Sequence, residues 1–222
     1  MGRTPAAAAP DTVRSMPARG RLITIEGVDG AGKTTLAASL VDRLSQTGLD
    51  ARLMREPGGV QTSERIRELV KDPALTVGGR AEALLYAAAR AQLVEEALRP
   101  ALEAGAWVLL DRFVDSSLAY QGAGRGLGIE AVRELNQFAT GGLAPDRTLL
   151  LTLDADAALA RASDRGQAPD RLERESSAFF ERIRAAYLQL AAAEPERVRV
   201  LDAAAPPAAV LDQALSALAD LL

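Results

Sequence analysis

The chain has 222 residues, 48% of them hydrophobic and 25% charged, which fits one sizeable globular domain at about 150 residues per domain. Its 26 Lys and Arg against 30 Asp and Glu leave a net charge of −4, and it has neither cysteine nor histidine. A general nucleic-acid binder is disfavoured. Disulfides, zinc ribbons, thiol catalysis and Ser-His-Asp triads are excluded. No apolar run approaches the roughly 20 residues that span a bilayer. The expectation is a soluble, cytoplasmic protein, without membrane or nucleic acid, whose chemistry uses Lys, Arg, Asp, Glu, hydroxyls or backbone.

Residues 1–20, rich in Ala, Pro and Arg without an apolar period, read as a disordered tail that lacks the apolar stretch of a signal peptide. The folded domain is expected over 21–222. RLITIEG, from Arg21, is a buried strand ending in glycine. Residues 33–47 follow as a helix, with Leu36, Leu40, Val41 and Leu44 at helical spacing. Ala51–Arg55 is a strand, Ser63–Lys71 a helix, and Arg80–Ala104 one long helix with Pro100 near its end. Trp107–Leu110 is the third strand, with helical patterns near 114–122 and 128–140. Arg147–Asp154 is continuous and apolar, so buried on both faces. Helices are expected at 155–164 and 176–193, a fifth strand at Val198–Leu201 and a closing helix at 207–221. Strands alternating with helices imply α/β: a three-layer fold around a five-stranded parallel sheet. The polar stretch within about 161–175 suits a short lid.

GVDGAGKT at 27–34 matches G-x-x-x-x-G-K-[ST] and sits between a strand and a helix, the context that gives the pattern meaning. Gly27, Gly30 and Gly32 let the backbone wrap so that successive N–H groups, from Gly27 and Val28 through Asp29, Ala31 and Thr35, converge on an anion. Lys33 adds a point charge for the outer phosphates, and Thr34 a hydroxyl for Mg²⁺. The ligand class is ATP or GTP with Mg²⁺. The D-x-x-G and N-K-x-D signatures of GTPase switches and the Ser-Gly-Gly-Gln signature of transporter ATPases are missing, which leaves a compact kinase.

Three clusters suit an acceptor site. Arg55 emerges at a strand's C-terminal end, where ligands bind in open α/β sheets; an ordinary turn would look the same. Tyr86 and Arg90, four apart on a helix, could stack on a base and bond its edge, or be a core tyrosine capped by an arginine. Asp111 and Arg112 again follow a strand, where a carboxylate can order magnesium and a guanidinium can fork onto phosphate.

GVDGAGKTT, REPGG, LLYAAAR, DRFVDSSLAYQG and DRGQAPDRLE, in this order, resemble the bacterial thymidylate kinase family from about Arg21 onward. The resemblance implies a P-loop kinase fold, usually homodimeric, that phosphorylates dTMP to dTDP with ATP and Mg²⁺. It implies that Asp29 approaches the sugar 3′-hydroxyl, and that Arg55 belongs to the substrate site. Tyr86, where the family mostly has Phe, stacks on thymine, while Arg90 bonds a thymine carbonyl. Arg112 grips the acceptor phosphate, Ser117 and Gln121 face the imide edge, and Tyr120 crowds the sugar 2′ position. The phosphate loop has no arginine, so the family's lid-arginine type is implied, with Arg165 favoured as catalytic and Arg171 second. Kept open are another nucleotide or deoxynucleoside kinase, with Glu26 or Asp29 as base, and a non-catalytic nucleotide switch. Phosphate as acceptor needs no histidine, because its second pKa is about 6.

Overall fold

The computed structural model describes residues 19–154, 157, 161 and 170–222. Of the expected helix over 155–164 only positions 157 and 161 are described, both helical, and nearly all of the expected tail and Arg165 lie outside those residues.

Five parallel strands form the sheet: β1 Leu22–Glu26, β2 Ala51–Arg55, β3 Trp107–Asp111, β4 Arg147–Thr152 and β5 Val198–Asp202, in the order β2-β3-β1-β4-β5. Their composition follows their place. β1, β3 and β4 are central and almost wholly buried, whereas β2 and β5 are edges and carry exposed positions such as Leu53 and Val200. β4 is two residues shorter than its apolar run suggests. In β1 and β3 the side chains alternate between two cores. Ile23, Ile25 and Leu109 join one core under the flanking helices, while Leu22, Val108 and Leu110 join the other. Each fully buried Leu or Ile contributes about 1.5–3 kcal/mol.

The helices cover both faces, as right-handed parallel crossovers require. α1 (Lys33–Gln46), α7 (Ser177–Ala193) and α8 (Pro207–Leu218) enclose the first core. The second is closed by α3 (Gly79–Leu93), a π turn at Val94–Leu98 and α4 (Arg99–Glu103), with α2 (Gln61–Lys71) packed on α3. The single helix expected over 80–104 is thus three segments. The wide turn lies directly before Pro100, which offers no N–H and crowds the carbonyl four residues back. After β3, α5 (Val114–Ser117) runs into a second π turn at Leu118–Gly124, and α6 (Ile129–Thr140) packs on α3. Among the described residues no helix is long and apolar enough to cross a membrane.

β1 is flanked by β3 on one side and β4 on the other: the chain builds β2 and β3 on one side of it and then crosses to β4 and β5 on the other. The loops leaving the C-terminal ends of β1, β2 and β3 therefore open around one crevice, the ligand position of open α/β sheets.

Candidate active site

The loop after β1 is shaped by its glycines. Gly27 has φ 137°, and a Cβ there would lie 2.5 Å from the Leu151 carbonyl oxygen; only glycine fits. Gly30 and Gly32 also have positive φ, at 82° and 93°. Val28 and Ala31 are buried beneath the loop, and Asp29 through Thr35 line a cleft of about 1130 Å³.

Lys33 is 7% exposed and donates from Nζ to the Val28 carbonyl at 2.9 Å. Burial pushes its pKa down to about 8, Arg112 adds to that, and Asp29, Asp111 and Glu26 oppose it. Thr34 donates to Asp111 Oδ2 at 3.1 Å, while Asp111 Oδ1 is buried without a hydrogen-bond partner. A hydroxyl beside an orphaned carboxylate oxygen fits a hydrated Mg²⁺, which takes one or two protein ligands and leaves the rest to water and phosphate. Among the described residues no three acidic side chains gather as a metal cage.

Arg112 joins the loop to the opposite wall. Its φ of 70° is unusual for a residue with a side chain, and turns the guanidinium back over the loop. It donates to the Gly27 carbonyl at 3.0 Å, to Asp29 Oδ1 at 2.8 Å and to Ser116 Oγ at 3.1 Å, and its charge lies 5.1 Å from the Tyr120 ring centre. Ser116 is itself held by Glu26, whose buried carboxylate also accepts from the Phe113 N–H and from Tyr187. Burial, with Asp115 adding to it, raises the Glu26 pKa to about 7. Glu26 does not line the cleft and both its oxygens are engaged, which removes it as the base of a nucleoside kinase.

Arg55, Tyr86, Arg90, Ser117, Tyr120 and Gln121 all line the same cleft. Arg55 is paired with Glu64 at 2.8 Å. Tyr86 is half-buried at the core's edge, and burial raises its pKa well above the usual phenol value, with Glu82 adding to it; it is a neutral ring. Arg90 lines the cleft and is also tied into its wall. It is fully buried and donates to Glu56 at 2.8 Å, Ser117 at 2.9 Å, the Phe113 carbonyl at 2.9 Å and Asn136, with Nη2 also 2.7 Å from Glu56. Protein acceptors meet its donors, so Arg90 is anchored in the wall while it lines the cleft beside Ser117.

Of the lid arginines, Arg165 lies outside the described residues. Arg171 is not brought to the cleft: it donates to the Val70 carbonyl at 3.0 Å and sits 2.7 Å from buried Glu82. Arg161, the first arginine of the lid run, does line the cleft and donates to the Ala203 carbonyl at 3.0 Å. Sequence reasoning missed Ser116, Tyr187 and Glu82. Only Glu82 left a local signal, since it precedes Tyr86 by one helical turn.

A family model described as thymidylate kinase matches residues 25–214. The chain is 53% identical over 188 residues to the thymidylate kinase of Deinococcus radiodurans, an alignment covering 85% of this chain and 91% of that one. It is 49% identical over 203 residues to the thymidylate kinase of Latilactobacillus sakei, covering 90% and 95%. The crystal structure of thymidylate kinase from Ehrlichia chaffeensis aligns with a TM-score of 0.75 at 27% identity, covering 90% of this chain and 99% of that one.

Proposed function

The chain belongs to the thymidylate kinase family, a family of phosphotransferases, and from that we propose direct transfer of the ATP γ-phosphoryl group to the 5′-phosphate of dTMP, giving ADP and dTDP. The observation that carries the reading is Arg112. Its guanidinium is bonded both to the phosphate loop, through Gly27 and Asp29, and to the wall bearing Ser116 and Tyr120. One cation thus stands where two phosphate chains would meet.

The difficulty of this reaction is charge. The acceptor oxygen is already largely ionised at neutral pH, so a general base would add little. Two unit charges 4 Å apart repel by about 1 kcal/mol in water and about 4 kcal/mol at an effective dielectric of 20. Lys33 leaves the Val28 carbonyl for the outer phosphates, and Arg112 takes the acceptor phosphate, which offsets that repulsion. Thr34 and Asp111 would hold Mg²⁺, which when bound supplies further neutralisation of the donor phosphates. Arg165 supplies the lid cation that follows the charge of the transferred group, and lid closure excludes water as a competing acceptor. Tyr86 stacks on the base, Tyr120 crowds the sugar 2′ position and Asp29 receives the 3′-hydroxyl.

We place the enzyme in the cytoplasm as a pair of copies. Leu69 on α2, Leu84 on α3 and Phe138 on α6 are all exposed, Phe138 by 90%, and these helices pack side by side. A partner copy accounts for that surface.

A coupled ADP-release assay with dTMP, thymidine, dUMP and GMP tests the reading. It expects dTMP as the best acceptor and loss of at least about 100-fold in kcat for Lys33→Ala. Turnover of thymidine with dTMP inert would make this a nucleoside kinase. ATP binding without turnover of any monophosphate would make it a switch.

A further inference from the structure

Glu82 lies on α3 with no exposed surface, yet no step of the reaction above uses it. Its carboxylate gathers three side chains from distant parts of the chain. Gln121 donates from Nε2 to Oε1 at 2.8 Å. Arg125 donates to both oxygens, at 3.2 and 3.0 Å, and Arg171 Nη2 lies 2.7 Å from Oε2. A carboxylate only accepts, and a primary amide carries a donor end and an acceptor end. The contact with Glu82 therefore admits one orientation of the Gln121 amide, with NH₂ inward. Its carbonyl oxygen has no partner among the described residues, on a side chain that lines the cleft.

Ser117, one turn earlier, has the opposite polarity for the same kind of reason. Arg90 donates to its Oγ, and a guanidinium never accepts, so the serine proton is left to donate. Side by side the wall offers an acceptor from Gln121 and a donor from Ser117. That pair complements a pyrimidine imide, which presents N3–H and the C4 carbonyl. It opposes cytosine, which presents a bare N3 and a C4 amino group.

We propose that Glu82 is a positioning residue for base selection: by holding the Gln121 amide with its carbonyl toward the cleft, it makes the site accept an imide-bearing pyrimidine nucleotide and refuse its 4-amino counterpart. The inference rests on the dTMP reading above. An amide without this anchor could flip and present NH₂ to cytosine N3, so the discrimination belongs to the carboxylate behind the reader as much as to the reader.

The test is the ratio of kcat/KM for dTMP to that for dCMP. Glu82→Gln should lower the ratio about fivefold or more, the worth of one hydrogen bond. A merely structural role would lower both activities together and leave the ratio in place. Arg171 and Arg125, both half-buried, lose the Glu82 charge in that variant, Arg125 keeping Glu175, so Glu82→Gln combined with Arg171→Gln gives a charge-balanced version, with Arg171→Gln alone as control. The double variant should show the same fall, the control a ratio within about twofold of the parent, and Gln121→Leu a fall that Glu82→Gln does not deepen. An unchanged ratio in either folded variant carrying Glu82→Gln would overturn the proposal. A parent enzyme inactive on dTMP would instead overturn the underlying reading.

Discussion

Lys33 holds a positive charge at a site that is 7% exposed, and its pKa falls to about 8 because burial disfavours the ammonium. A phosphate brought to Nζ restores the charge. Above pH 8, nucleotide binding should therefore take up a proton, roughly half to one at pH 8.5. Titration calorimetry in buffers of differing ionisation enthalpy reads that number directly; no uptake at pH 8.5 would place the lysine away from the phosphates. Glu26 has the opposite sign. Its folded pKa, about 7, lies above the value of 4.5 of an unburied group, so the folded state holds the proton more tightly. That contribution to stability is full below about pH 4.5 and is lost as pH rises through about 7. Glu26→Gln should remove this slope, because the Ser116 and Tyr187 hydroxyls can rotate to suit an amide. Denaturation midpoints of the two proteins should converge at low pH and separate, with the variant relatively more stable, by pH 8.

At the scale of elements, the central strands were readable because burial on both faces demands continuous apolar runs, and β1, β3 and β4 have them. The phosphate loop was readable because its geometry is encoded in glycines at fixed spacing. Gly27→Ala tests that encoding. With φ at 137° and the Leu151 carbonyl 2.5 Å from the added carbon, it should cost about 1–3 kcal/mol in chemical denaturation, together with loss of nucleotide binding. The two π turns were not readable, since a helical apolar pattern does not reveal where the ladder widens. Neither were the site's supports. Gln121 meets Glu82 across 39 positions, Arg90 meets Asn136 across 46, and Tyr187 meets Glu26 across 161. Residue types at a strand end or on one helix face announce a site, whereas the groups that aim them become visible only when the chain is folded. Arg90 shows the difference: its type and position on a helix marked it for the cleft, which it lines, while its bonds to Glu56, Ser117 and Asn136 became visible only in the fold.

For the whole molecule, the sheet order puts the nucleotide loop and the acceptor wall on one crevice, and Arg112 spans them. The exposed helical face adds a second expectation. Light scattering should give twice the chain mass, and Phe138→Glu should shift the equilibrium toward single chains; a parent protein that is monomeric at all concentrations would leave that surface unexplained. The central claim is that donor and acceptor lie end to end in one cleft. A single compound joining adenosine and thymidine 5′ to 5′ through five phosphates tests it most directly. Titration calorimetry should show one molecule bound per chain, and that molecule should displace both ATP and dTMP. A compound that displaces one of them and leaves the other bound would contradict the account.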